Sequence, residues 1–365
     1  MSRAREFADL AGSADAGGLT GRNLIINGAM QVSQRGTSET GVTTGGYKQA
    51  PDRFSIGLTT AGAWTVAQST DAPDGFSNSY RLDCTTADAS LATGDLLVFQ
   101  QAIEGQNLQH LKKGTSSAES VTVSFHVKSN KTGTYIAELY DGDNARRISQ
   151  AYTISSANTW EKKTLTYAGD TTGTLGNDNG PSLYLVLWLA AGSSYSSGTL
   201  GTTWSTVNQP DRAVGQVNLA DSTDNDWSIT GVQLELGEQA TPFEHRSFAD
   251  ELHRCKRYYR QWSNADSTNG YTRIALGPGQ SSTNALAQIF LDPYMRTKPS
   301  QTLTGQMQAY NGSNLQDCDA SIDTATTNYF VMVAVTNTTG FSIGQAVEFI
   351  TKNTGTNVYA LSAEL

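Results

Sequence analysis

Apolar and polar residues alternate with a period of two along most of this chain, which is typical of β-strands that bury one face. From residue 23 to residue 243 the alternation recurs in short runs, separated by clusters of Gly, Asn, Asp, Ser and Thr. Such a series without amphipathic helices between the runs predicts an antiparallel sandwich or jelly roll. The predicted strands are 24–32, 54–58, 63–68, 80–84, 96–103, 121–129, 134–140, 147–154, 160–167, 183–190 and 227–236.

A stretch with helical spacing follows this series and predicts a connecting helix over 247–263. Later runs of alternation predict a smaller C-terminal β-domain over 264–365, with strands at 271–276, 286–291, 301–309, 329–335 and 346–361. The predicted fold class is therefore all-β. A jelly-roll β-sandwich over 22–246 is joined by a short α-helix to the smaller domain.

The apolar stripe of the predicted helix has the spacing of a coiled-coil seam, with alternating steps of four and three residues. Two heptads are too short to associate alone, so the homotrimer that we expect also needs contacts between β-domains. In the alternative interpretation, a single helix packs against its own sheet. The seam residues are Phe248, Leu252, Cys255, Tyr259 and Trp262.

The first 21 residues differ from the rest of the chain. Phe7 and Leu10 lie on one face of a ten-residue helical pattern, which is too short to be stable alone. A glycine-rich stretch at 12–21 follows as a flexible tether. Residues 1–21 are therefore predicted to be a docking peptide that binds another component through Phe7 and Leu10, or else a frayed terminus.

Composition narrows the classes of partner. The net charge is −9 and no basic stripe interleaved with aromatic residues is present, so nucleic-acid binding is not expected. Cys84, Cys255 and Cys318 are too few and too scattered for a disulfide framework, which favours synthesis in a reducing cytoplasm. No signal peptide is recognised, and no apolar run reaches the ~20 residues of a membrane span.

The sequence offers no catalytic or metal-binding motif. The four histidines lack metal-ligand spacing, and neither a nucleophile elbow nor a phosphate-binding loop is present. The acidic clusters at 141–144 and 221–226 carry enough oxygens for Ca²⁺, but solvated turns are the favoured interpretation. We therefore expect no catalytic residue, no metal ligand and no cofactor.

A sugar-binding face is the main candidate for function. Tyr184 and Trp188 lie opposite the leucine face of one predicted strand, and His126 and Lys128 lie opposite the apolar face of another. If both strands belong to one sheet, its outer face suits a saccharide. In the alternative, Tyr184 and Trp188 are covered by a neighbouring subunit, the second domain or the long polar loop at 191–226, which contains Trp204.

Several segments carry a resemblance to one kind of protein. They are NLIINGAMQVSQRGTS (23–38), APDRF (50–54), FQQAIEGQNLQHLKKG, VTVSFHVKSNKTGTYIAELYD and VQLELGEQATPFEHRSFADELHRCKRYY. Together they resemble virion proteins of tailed bacteriophages, whose jelly-roll domain is similar to carbohydrate-binding modules.

The resemblance implies a fibre-like, non-enzymatic subunit that is made in the host cytoplasm and works on the virion. Its expected partners are other virion proteins, reached through the N-terminus, and a host surface polysaccharide. It implies neither nucleic-acid binding nor membrane insertion. Two alternatives remain: a head fibre or capsid decoration protein, and a polysaccharide depolymerase.

Overall fold

The computed structural model describes residues 21–337 and 339–365, so the predicted docking residues Phe7 and Leu10 lie outside the described part. The chain divides into two compact units, the first ending at Glu251 and the second comprising Leu252–Glu364. The prediction of an all-β chain is confirmed, since the α-helices of the described residues are limited to α1 (Ser193–Ser196) and α2 (Phe248–Lys256). Neither helix is long and apolar enough to cross a membrane.

The first unit is a sandwich of two antiparallel sheets. Its strands are β1 (Ser38–Val42), β2 (Gly46–Tyr47), β3 (Ser55–Thr59), β4 (Ala63–Ser69), β5 (Ser79–Thr86), β6 (Leu96–Glu104), β7 (Val121–Ser129), β8 (Gly133–Asp141), β9 (Arg146–Ile154), β10 (Glu161–Tyr167), β11 (Pro181–Ala191), β12 (Ser205–Thr206) and β13 (Asp226–Leu236). The six-stranded sheet has the order β1-β4-β5-β13-β7-β10, and the seven-stranded sheet has the order β12-β9-β8-β11-β6-β3-β2.

The alternation in the sequence places the core between these sheets. The leucines at odd positions of β11, among them Leu185 and Leu187, are almost completely buried. They belong to the same apolar cluster as Phe99 of β6 and Phe125 of β7. Burial of such side chains is the main favourable term in folding, at about 25 cal/mol per Å² of apolar surface.

The segment predicted as a strand at 24–32 is irregular instead, and that prediction is wrong. Asn27 and Met30 have φ angles of 62° and 57°, in the left-handed region, which interrupts an extended strand. The Asn27 amide holds the turn, since its side chain donates to the carbonyls of Val32 and Asp52. Side-chain hydrogen bonds thus replace a strand ladder here.

The same segment is fastened to β13 by the side chain of Asn23. Its carbonyl oxygen accepts from the backbone N–H groups of Ile25 and Leu234, and its amide donates to Val232. Asn23 is 4% exposed, so no water replaces these bonds. Glu244 accepts from the Asn23 backbone N–H at 2.7 Å, which ties the chain beyond β13 into the same contact.

The second unit consists of a three-stranded sheet and a closed six-stranded barrel. Its strands are β14 (Tyr259–Ser263), β15 (Arg273–Pro278), β16 (Asn284–Phe290), β17 (Ser300–Thr304), β18 (Met307–Tyr310), β19 (Leu315–Ile322), β20 (Phe330–Thr336), β21 (Ala346–Thr351) and β22 (Val358–Ser362). The sheet has the order β14-β22-β17 and the barrel the order β15-β16-β20-β19-β18-β21.

Two predicted strands of this unit are each divided in the structure. The run at 301–309 becomes β17 and β18, in different sheets, because Gly305 turns the chain with a φ of 73°. A side chain there would also meet the Asn357 Oδ1, which lies 2.2 Å from an ideal Cβ position. The run at 346–361 likewise becomes β21 and β22.

The predicted oligomer seam is also wrong. Helix α2 ends at Lys256, and Tyr259 and Trp262 belong to β14, where Tyr259 pairs with Ser362. Cys255 is fully buried, whereas Phe248 is 56% exposed and Leu252 is half-buried. Backbone pairing with β22 therefore ends the helix before a second heptad can form, and the five residues do not share one helical face.

We expect Asn23→Ala to lower the free energy of unfolding of the first unit by about 2–4 kcal/mol, because two buried backbone N–H groups lose their acceptor. The matched control is Asn177→Ala, at an exposed loop position, with an expected change within about 0.5 kcal/mol. Urea unfolding followed by tryptophan fluorescence measures both variants. Equal midpoints for the two variants would contradict the role given to Asn23.

Candidate functional site

A polar groove of about 520 Å³ opens on the first unit. Strand β9 supplies Arg146, Ile148 and Gln150, and the end of β10 supplies Thr166. Two loops complete it, at 168–172 and 202–204. Its volume falls within the range of about 300–1,000 Å³ that is usual for small-molecule sites.

Two charged side chains, Arg146 and Asp170, line the groove, and they form one cluster of ion pairs with Lys113 and Asp141. Arg146 donates to both carboxylate oxygens of Asp170, at 2.7 and 2.9 Å. The Lys113 Nζ lies 3.0 Å from Asp170 and 2.5 Å from Asp141. Lys113 also donates to the Thr172 and Gly173 carbonyls, which holds the 170–174 loop in place. We call these four residues the floor quartet.

Hydrogen bonds shift the pKa values of Asp170 and Arg146, the two members of the floor quartet that line the groove. Burial raises the pKa of Asp170, but hydrogen bonds from Arg146 and Lys113 outweigh it, and the pKa lies below its ordinary value. The hydrogen bond to Asp170 raises the pKa of Arg146. Two cations and two carboxylates therefore leave the floor without net charge.

Trp204 supplies the aromatic surface of the groove. Its indole N–H donates to the Ala168 carbonyl at 2.7 Å, and the Lys113 Nζ lies 5.0 Å from the ring centroid, a cation–π distance. The ring is half-buried, with one part packed against the core. Exposed threonines surround it, namely Thr171, Thr172, Thr202 and Thr203. The groove thus combines one fixed ring with several hydroxyl groups.

The position of Trp204 follows from the contacts on either side of it. Ser205 and Thr206 pair with Arg147 and Arg146 of β9. Before it, the Gly201 carbonyl accepts from the Ser149 N–H at 2.8 Å. An ideal Cβ at Gly201 would lie 1.2 Å from the Arg147 Nη1, so only glycine fits this close approach.

The structure separates the four residues predicted to form one sugar-binding face. Tyr184 and Trp188 lie on β11 in the seven-stranded sheet, whereas His126 and Lys128 lie on β7 in the six-stranded sheet. The prediction that they share a face is therefore wrong. The alternation of each strand was assigned correctly, but alternation does not show which sheet a strand joins.

Trp188 is buried rather than exposed, with 1% of its surface accessible. The segment 195–213 covers it, with Ala213 and Tyr195 in the same apolar cluster and the Arg212 guanidinium 5.1 Å from its ring. Arg212 is fixed by the fully buried Glu138 at 2.5 Å. Tyr184 stays half-buried beside Tyr140, with ring centroids 5.5 Å apart.

His126 and Lys128 are occupied by local contacts. The rings of Phe76 and His126 are 5.3 Å apart, and burial lowers the pKa of His126 below its ordinary value. Lys128 pairs with Asp71, which also accepts from the Trp160 indole N–H. Neither residue lines the groove at Trp204.

The two acidic clusters considered for Ca²⁺ have lysine partners. Asp141 pairs with Lys113, and Asp221 pairs with Lys131 and accepts from Asn225. In the described part of the chain, no group of three or more His, Cys, Asp or Glu side chains is arranged to hold a metal ion. Lysine ammonium groups thus take the place where a cation would need to bind.

Sequence analysis missed most of the groove. A tryptophan within a long polar loop is unusual, so the sequence contains some indication that Trp204 has a role. It contains no such indication for the charged residues near it. Lys113, Arg146 and Asp170 come from three separate segments, and only the folded chain brings them together.

No protein-family model matches the chain, and no curated protein matches it. It is similar in fold to the enzymatically active domain of Bacteriophage CBA120 tailspike protein 4, with 16% identity and a TM-score of 0.31 over 59% of this chain and 21% of that chain. A CBM4 structure matches with 13% identity and a TM-score of 0.29, over 57% and 97% of the respective chains. The C-terminal family 22 carbohydrate binding module of Clostridium thermocellum Xyn10B matches with 12% identity and a TM-score of 0.28, over 57% and 98%.

We expect Trp188→Ala to destabilise the first unit by about 3–5 kcal/mol, because it leaves a large cavity beneath the 195–213 segment. The matched control is Trp160→Ala, at a half-buried surface position, with an expected loss below about 1.5 kcal/mol. Chemical unfolding measures both. A stable Trp188→Ala protein would show that this face is open.

Proposed function

We propose that this chain is a non-catalytic, glycan-binding subunit of a bacteriophage virion, with a tail-fibre-like role in adsorption to host polysaccharide. The observation that carries the glycan part is the groove at Trp204. A fixed aromatic ring beside exposed threonine hydroxyls matches the two kinds of surface on a sugar, its C–H face and its hydroxyl groups.

Binding at one such groove is weak. A single ring contributes on the order of 1 kcal/mol beyond the area it buries. Useful adsorption therefore requires several copies that act together, and we propose a homotrimer for this reason. Its mass in solution, compared with the 39.0 kDa of one chain, tests that part of the proposal.

The groove chemistry favours binding over hydrolysis. Glycoside hydrolysis generally needs two carboxyl groups, one of them with a raised pKa. Of the described residues that line the groove, Asp170 is the single carboxylate, and its pKa is lowered by Arg146 and Lys113. Incubation with host polysaccharide tests this point, since release of oligosaccharides would indicate a depolymerase.

The virion part of the proposal is supported by the sequence. Residues 23–38 and the stretch around β13 and α2 resemble virion proteins of tailed bacteriophages. The tethered peptide at the N-terminus supplies a means of attachment in this proposal. Immunogold labelling of intact particles distinguishes a tail position from a head fibre or capsid decoration protein.

We expect Trp204→Ala to weaken binding to host polysaccharide by about fivefold or more, which corresponds to the loss of about 1 kcal/mol. Trp204→Phe should recover part of the affinity, because a ring remains although the indole N–H is lost. Isothermal titration with purified surface polysaccharide measures both variants.

Trp160→Ala is the matched control, since Trp160 is also half-buried on the first unit but does not line the groove. Its affinity should equal that of the unmodified protein. Circular dichroism confirms that each variant is folded. Unchanged affinity in folded Trp204→Ala would place the binding surface elsewhere.

We expect deletion of residues 1–21, or the double change Phe7→Ser and Leu10→Ser, to yield a folded protein that virions lack. Apolar contacts of a short amphipathic peptide would provide the attachment. Complementation of a phage that lacks the gene, followed by immunoblotting of purified particles, measures incorporation. Phe7→Leu is the conservative control, and normal incorporation of the deletion variant would refute the docking role.

A further inference from the structure

We infer that the groove at Trp204 selects uncharged glycans over acidic ones, because its charged residues neutralise one another before any ligand binds. This inference rests on the proposed glycan-binding function. It names the class of sugar: neutral hexose or pentose chains, as opposed to chains that contain uronic or sialic acids.

Arg146, which lines the groove, and Lys113, which contacts Asp170, are both already paired with carboxylates. Arg146 directs its Nε and one terminal nitrogen at Asp170, the bidentate geometry that a sugar carboxylate would otherwise use. The Lys113 side chain is only 5% exposed and lies between Asp141 and Asp170. A ligand carboxylate would have to displace Asp170 to form a bidentate pair with Arg146, and an internal carboxylate to reach Lys113.

An acidic ligand would therefore lose hydration without gaining a bidentate ion pair. Burying a charge is unfavourable unless a partner compensates it. The uncharged groups that line the groove are the threonine hydroxyls, the Gln150 side chain and the Trp204 ring, whereas the half-buried Arg146 is paired with Asp170. The net charge of −9 on the whole chain adds a weak repulsion at low salt. Both effects act in the same direction.

The test uses matched pairs of oligosaccharides that differ only at C6: gluco-, galacto- and mannohexaoses and the corresponding hexauronates. We expect at least one neutral hexaose to bind, and its uronate to bind about tenfold more weakly or worse. Binding of the neutral member should change less than about twofold between 20 and 500 mM NaCl, since no ion pair forms.

Two variants alter the charge of the groove. Asp170→Asn removes the carboxylate that pairs with Arg146 and Lys113. We expect this variant to bind uronates more tightly, so that the difference in affinity between a neutral hexaose and its hexauronate becomes smaller. Because Asp170 is buried and this variant can fail to fold, Thr202→Lys provides a second route at an exposed position. It should raise uronate affinity several-fold and make that binding sensitive to salt.

The outcomes separate the inference from the function on which it rests. Uronates that bind the unmodified protein as tightly as their neutral partners, with both weakened about fivefold or more by Trp204→Ala, would overturn the selectivity and leave the glycan site intact. Failure of every neutral hexaose to bind would overturn the proposed function and the inference together. Preference for the neutral member, lost in Thr202→Lys, supports both.

Discussion

The buried hydrogen bonds around Asn23 are the constraint on which the sandwich depends. They hold an irregular N-terminal segment against β13, which lies inside the six-stranded sheet between β5 and β7. Glu251 extends the same contact, since its carboxylate accepts from the Asn27 N–H at 2.6 Å. Arg246 lies between the two glutamates, 3.4 Å from Glu244 and 3.6 Å from Glu251. Because Asn23, Asn27 and Glu251 are buried, removal of one partner lowers the free energy of unfolding by more than the hydrogen bond itself contributes.

This network joins two of the segments that carry the sequence resemblance. The segments at 23–38 and 232–259 are far apart in the chain, yet Asn23 and Glu244 meet directly in the structure. Glu235 adds to the same region by accepting from the Thr241 backbone and hydroxyl groups. Residues of these two segments therefore hold the N-terminal part of the first unit against β13 and the chain that follows it. None of the residues in the segments that carry the resemblance lines the groove at Trp204, although Lys113 and Asp141 of the floor quartet belong to those segments.

Most of the strands were predictable from the sequence, and their arrangement into sheets was not. Alternation is a local property, so β7 and β11 could be assigned with the correct inward face. Whether two strands share a sheet depends on pairing between distant residues, and the predicted face of His126 and Trp188 failed on this point. The predicted helical seam from Phe248 to Trp262 was wrong for a different reason. A short helix followed by a strand has the same apolar spacing in the sequence as one longer helix.

The segment 195–213 links the buried face to the open groove. The segment covers Trp188, and an ion pair between its Arg212 and the buried Glu138 holds it in place. The same segment contains residues 202–204, which line the groove. A buried ion pair adds little net stability after desolvation, but its geometry can be specific. Gly201 at Arg147 adds a second fixed point. A change that loosens this segment would therefore expose Trp188 and displace Trp204 together. The burial of Trp188 and the geometry of the groove thus depend on the same segment.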